Sequence, residues 1–114
     1  MRFLRSSRPG HQGVAIDVQP RPSGGAIVHV GGELDAEAMP QLRSCLVDLV
    51  SQGRTDLVLD LRDVTFCDSS ALGVLVGAHQ RVCATGGHIE LHEPPQALRN
   101  LLAVSGLDQV LDIR

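Results

Sequence analysis

The chain has 114 residues, enough for one domain around one hydrophobic core and too few for a second catalytic domain. All 10 of its Lys+Arg residues are arginine, which removes any mechanism built on a catalytic lysine or the lysine of a phosphate-binding P-loop. The formal charge of -3 supplies no positive field for nucleic acid or anionic lipid, and 2 Phe with no Tyr or Trp leave no stacking platform, so no direct nucleic-acid or membrane binding is expected.

The basic start, with Arg2, Arg5 and Arg8, lacks a following apolar run and does not read as a signal peptide. Residues 1–12 are expected as a disordered extension and residues 13–114 as the folded domain. Residues 14–18 alternate as an edge strand, and the segment from Pro20 to Gly25 supplies a turn. Residues 26–30 form the second arm of a hairpin, ended by Gly31 and Gly32. Over 40–50, Leu42, Leu46, Leu49 and Val50 recur at helical spacing, with Pro40 in the first turn and Gly53 as C-cap. Residues 56–61 are nearly continuous in apolar content, as a central strand buried on both faces would be.

A second helix runs from Ser69 to about Cys83, with Leu72, Leu75, Val76, His79 and Val82 on one broad side and Gly86-Gly87 ending it. Residues 88–92 read as a short strand. Pro94-Pro95 opens a helix through Ala103, Ser105-Gly106 breaks it, and residues 110–113 form a last strand. Helices alternating with short apolar strands predict a single α/β domain with a mixed, mostly parallel sheet of about five strands and helices packed against it. Cys45, Cys67 and Cys83 form no C-x-x-C pair and sit in apolar patterns, so they read as small buried hydrophobes in a reducing cytoplasm. No window approaches the roughly 18 apolar residues that a bilayer span needs.

The chemistry concentrates where the third strand enters its helix. Asp68 is placed as N-cap, its carboxylate accepting from backbone N–H groups two or three residues on, with Ser69 and Ser70 at the first helical positions. Gly73 and Gly77, four apart, each cost about 1 kcal/mol relative to alanine, which implies a close approach by another backbone. A phosphate of charge about -2 on a serine there would meet the favourable end of the helix dipole but oppose the Asp68 carboxylate. Taken alone, Asp-Ser-Ser is ordinary capping chemistry.

Enzymatic readings lack their parts. There is no G-x-S-x-G elbow, and His79 lies on the same helix as the serines, out of reach of the turn. His88, Glu90 and His92 project from one face of a strand, which alternating polar residues on a solvent-facing strand explain. Three ligands from one short strand rarely satisfy tetrahedral geometry. No enzyme activity, cofactor or metal is expected.

The wider context gives the serines meaning. Residues 60–76, with Asp60-Leu61-Arg62-Asp63-Val64-Thr65-Phe66-Cys67-Asp68-Ser69-Ser70-Ala71-Leu72-Gly73 at their heart, resemble the signature of STAS-domain anti-sigma factor antagonists. Gly32-Glu33-Leu34-Asp35, then Ala38-Met39-Pro40 and Leu42, resemble the family's first loop and helix. Leu98, Leu101, Leu102 and Ser105-Gly106-Leu107 resemble its last helix and turn, so the likeness spans about residues 13–113. The resemblance implies that Ser69 is phosphorylated by a partner anti-sigma factor, a serine kinase of the histidine-kinase-like ATPase type that itself carries ATP and magnesium. It also implies that unphosphorylated protein binds that partner and frees a sigma factor, and that a serine phosphatase resets the cycle. Asp35 and Asp68 match acidic positions near the phosphorylated serine, and Ser70, Leu72 and Gly73 complete the partner-binding neighbourhood.

Two departures stand out. Ala71 replaces the family's commoner glycine after the serine pair, and the sequence stops at Arg114 where many relatives continue into another helix, so either part of the sheet is less covered or the chain is of a shorter subtype. The alternative is a constitutive STAS scaffold, an interaction subunit of a transporter or stress-signalling complex in which Ser69 is only a cap. Oligomeric state stays open.

Overall fold

Alternate apolar positions make one side of the middle strands into core, and the strands line up in chain order. The computed structural model describes residues 2–5 and 13–114. Its strands are β1 (Arg2–Arg5), β2 (Val14–Pro20), β3 (Ala26–Leu34), β4 (Asp56–Cys67), β5 (His88–His92) and β6 (Asp112–Ile113). They form one sheet in the order β1-β2-β3-β4-β5-β6. The first two pairings are antiparallel and the last three parallel, the mixed and mostly parallel sheet that the sequence predicts. The expected extension over 1–12 falls mostly outside the described residues; within it, Arg2–Arg5 pairs along β2 as a sixth strand.

Three helices make the parallel crossovers: α1 (Met39–Ser51), α2 (Ser70–Ala84) and α3 (Gln96–Ser105). Each joins neighbouring strands and the chain steps always in the same direction, so right-handed crossovers place all three on one side of the sheet. Val14, Ile16, Val28, Leu57, Leu59, Leu61, Ile89 and Leu91 point there and are buried. Leu42, Leu46 and Leu49 of α1, as the helical spacing predicts, cover them together with Leu98 and Leu102 of α3.

The opposite side differs from expectation. β4 is not buried on both faces: Leu57, Leu59 and Leu61 are core, while Val58 is half-buried and Asp60 is sealed by its neighbours' polar side chains, not by a helix. The apolar run misled because Leu61 and Val58 stand on opposite sides of the pleat, and only one has helices above it.

Two further boundaries move. β3 continues through Gly31 and Gly32 to Leu34, and β4 continues through the segment read as a turn to Cys67. Two register shifts, between His29/Gly31 and Gly32/Glu33, each set one extra β4 residue against β3. At the second shift Gly32 has a φ of +84°, and a Cβ there would lie 2.3 Å from the Gly13 carbonyl oxygen, so only glycine fits. In α2 the buried face is Ala71, Val74, Leu75, Ala78 and Val82; of the expected side Leu75 and Val82 are buried, while Leu72, Val76 and His79 are half-buried and the small alanines take their place on the core face. Leu111 is buried just before the two-residue β6, shorter than the strand expected over 110–113.

Candidate functional site at the start of α2

The site is built by the ends of β3 and β4. Leu34 and Cys67 are their last register pair, and the Asp68 N–H donates to the Leu34 carbonyl at 3.2 Å. The chain therefore leaves β3 at Asp35 and β4 at Asp68 side by side, at the carboxyl end of the parallel strands. This is where open α/β sheets present their binding groups. Asp35 turns back toward α1, its Oδ1 accepting from the Ala38 N–H at 3.2 Å.

Asp68 performs the capping chemistry expected of it, one residue earlier than the helix boundary. α2 begins at Ser70 with Ser69 in the cap position, but Asp68 Oδ1 accepts from the Ser70 N–H at 2.9 Å and from the Ser70 hydroxyl in a short contact. The Asp68 carbonyl also accepts from Ala71 N–H, and the Ser69 carbonyl from Leu72 N–H. The first free N–H groups of the helix are thus already satisfied by this turn.

The two serines end up in different situations. Ser70 is half-buried and its hydroxyl is engaged by Asp68. Ser69 is exposed and its side chain makes no capping hydrogen bond. Leu72 packs against the core, while Gly73 is exposed and a Cβ on it would meet nothing within 4 Å. Among the described residues the close backbone approach inferred for Gly73 and Gly77 is not made, and a Cβ on Gly77 also meets nothing within 4 Å. Both glycines line a groove between α1 and α2, flanked by Arg43 and Arg81.

Two features escaped the sequence reading. Phe66 lies 51% exposed, two residues before Asp68, because the bulged register turns it outward. Its signal was a large apolar residue inside what looked like a turn. The arginines flanking the groove carried no signal, since their positions depend on how α1 packs on α2. Cysteine burial held at two sites: burial and the neighbouring Asp68 charge push the Cys67 thiol up, and burial and Asp48 push Cys45 up to about 11. Cys83 is exposed on α2, contrary to expectation, because the helix face rotates toward its alanines.

Comparison with known proteins places these observations. The family model described as "Mlab, STAS domain" matches residues 19–112. The anti-sigma-B factor antagonist of Bacillus subtilis (strain 168) is 40% identical over 86 residues, covering 75% of this chain and 78% of the relative. An anti-sigma factor antagonist from Mycobacterium paratuberculosis superposes with a TM-score of 0.79 at 25% identity, over 95% of this chain and 89% of that one. The Bacillus cell fate determinant SpoIIAA in its phosphorylated form superposes with a TM-score of 0.72 at 24% identity, over 87% of this chain and 90% of that one.

Proposed function

This chain belongs to the STAS domain family, a family of regulatory binding proteins, and on that premise we propose that it is an anti-sigma factor antagonist switched off by phosphorylation at Ser69. Its unmodified form binds an anti-sigma factor and thereby frees a sigma factor. The anti-sigma factor is a serine kinase of the histidine-kinase-like ATPase type, and a serine phosphatase returns the protein to its binding form. The cycle runs in the cytoplasm; among the described residues no helix is long and apolar enough to cross a membrane.

One observation carries the choice of residue: the Ser69 hydroxyl is exposed and uncommitted to capping, whereas the Ser70 hydroxyl is held by Asp68. A kinase must take the hydroxyl into its own active site, which an exposed side chain permits. The phosphate, of charge about -2, then stands next to the Asp68 carboxylate, and the helix N–H groups that would have neutralised it are already taken. It is held outward, at the rim of the surface formed by Phe66, Leu72 and Gly73. Charge repulsion and bulk there expel a partner without unfolding the domain, since the Ser69 side chain is exposed.

Incubation with the cognate kinase-type anti-sigma factor and ATP, followed by intact mass measurement, tests this. One phosphate on the wild type and on Ser70→Ala, and none on Ser69→Ala, is the expected pattern. Absence of phosphate with a verified active kinase, or its loss only in Ser70→Ala, overturns the assignment. Ser69→Ala should stay bound to the partner and Ser69→Glu should bind weakly; equal binding by both would mark a constitutive scaffold instead.

A further inference from the structure

The open side of the sheet gathers metal-binding groups at its β5–β6 edge, away from Ser69. His88 and Glu90 are two apart on β5 and so share a side of the strand. Asp112 of β6 is the register partner of Glu90 and adds a third donor from the neighbouring strand. One ligand atom from each of the three lies within 4.8 Å of the others. His88 Nε2 is 2.8 Å from Asp112 Oδ2 and 3.6 Å from Glu90 Oε2.

We propose that His88, Glu90 and Asp112 form a binding site for a divalent transition-metal ion of the zinc class. Zinc with N and O ligands at about 2.0–2.1 Å holds neighbouring donors about 3.4 Å apart in a tetrahedron. The His88–Glu90 separation already matches this, and the His88–Asp112 pair must open by about half an ångström once the ion replaces the proton between them. In-strand geometry alone could not close such a site: His92 does not join it, but holds the other oxygen of Glu90 from outside, Nε2 to Oε1 at 2.8 Å. Arg114 Nε likewise donates to Asp112 Oδ1 at 2.9 Å. Glu90 is thus oriented through Oε1 while Oε2 faces the cluster, the arrangement that outer partners give metal ligands, whereas Asp112 is gripped by Arg114 through both oxygens.

The same surroundings set the affinity. His88 has 54% of its side chain exposed, which leaves room for water as a fourth ligand. The second Arg114 nitrogen stands 3.0 Å from Asp112 Oδ2 and 3.5 Å from Glu90 Oε2, so the ion must displace a cation already present. Binding is therefore modest and reversible. Two carboxylates and one imidazole favour zinc, cobalt or nickel over calcium, which takes six or more oxygens. Bridging β5 to the two-residue β6, the ion would also stabilise the edge of the sheet, because anything that binds only the folded state does so.

Calorimetric titration of the full chain, freed of metal by chelator and titrated with zinc chloride near neutral pH, tests the assignment. One equivalent should bind the wild type. His88→Ala and the isosteric Asp112→Asn should each weaken it about tenfold or more, while Cys83→Ser leaves it unchanged. That last variant guards against a different donor pair, His79 and Cys83 on α2, whose sulfur and ring nitrogens are 3.7 Å apart. Cobalt bound to the wild type should show visible bands without a thiolate charge-transfer band. Absence of binding, full binding by folded Asp112→Asn, or loss in Cys83→Ser overturns the proposal.

Discussion

The two sides of this sheet are built from the same strands and stabilised by different physics. Under the helices, Val28, Leu59 and Leu91 line up across three strands, each essentially inaccessible to water, and the half-buried Val18 of β2 continues the row. On the other side, one residue along, the cross-strand row reads Asp17, His29, Asp60, His92, alternating acid and imidazole. His29 Nδ1 meets Asp60 Oδ2 at 2.9 Å, and Arg62 reaches the same carboxylate through its backbone N–H, Nε and a terminal nitrogen. Apolar burial on the first side is the main favourable term, while hydrogen bonds on the second chiefly offset the cost of burying Asp60.

The largest expected effect breaks the covered side. Leu59 is fully buried in β4, one of the two central strands of the sheet. Leu59→Ala removes its methyl groups and leaves a cavity, and should lower unfolding free energy by about 2–5 kcal/mol in urea with an unchanged slope. Its neighbour Asp60 provides the contrast. Asp60→Asn keeps the shape but weakens bonds from Arg62 and His29, for a loss of about 1–3 kcal/mol. A larger loss from Asp60→Asn than from Leu59→Ala would reverse the ranking of the two sides.

Acid sharpens the same contrast. Burial pushes the Asp60 carboxyl up, but hydrogen bonds from the Arg62 side chain and backbone and from His29, with the Arg62 charge, outweigh it and hold the group below its ordinary 3.8. The unfolded chain then binds the Asp60 proton more tightly than the folded one. The stabilisation is complete above the ordinary carboxylate range and fades as pH falls through the lower folded value. Urea midpoints of wild type and Asp60→Asn should therefore converge below about pH 4, whereas Leu59→Ala should keep its deficit. A gap between wild type and Asp60→Asn that stays constant down to acid would exclude an ionised, bonded Asp60 as its source.

The sidedness of the sheet was only half legible in the sequence. Period-two alternation in β2, β3 and β5 and helical spacing in α1 located those elements, because each pattern reports one buried face directly. β4 defeated the same reading. Its apolar residues occupy both sides of the pleat, and two bulges break the alternation between Asp60 and Cys67, so the strand looked short and the rest looked like a turn. The Asp68 carboxylate bonding the N–H two residues on was readable because it depends on local spacing, although the helix starts at Ser70, one residue later than expected. Phe66 and the groove arginines were not, since bulge geometry and helix packing place them. Asp112 beside His88 was out of reach too: the pairing spans 24 positions of sequence and exists only through the parallel register of β5 and β6.

The smallest effect on stability separates the outer surface of α2 from the core beneath it. Gly73 is exposed within the helix, does not have a positive φ, and would carry a Cβ into open space. Alanine restricts the unfolded backbone and suits a helix better, so Gly73→Ala should raise unfolding free energy by about 0.5–1 kcal/mol. A residue that the fold alone would improve has a reason to remain glycine only if something outside the chain comes close. On the proposed docking surface, the added methyl lies between Ser69 and the α1–α2 groove, where a partner backbone would press. The variant should thus be more stable yet bind the anti-sigma factor more weakly, with no change in the zinc titration at the far edge of the sheet. Gain of stability with undiminished partner binding would move the docking surface away from Gly73, toward Phe66 on the other side of Ser69.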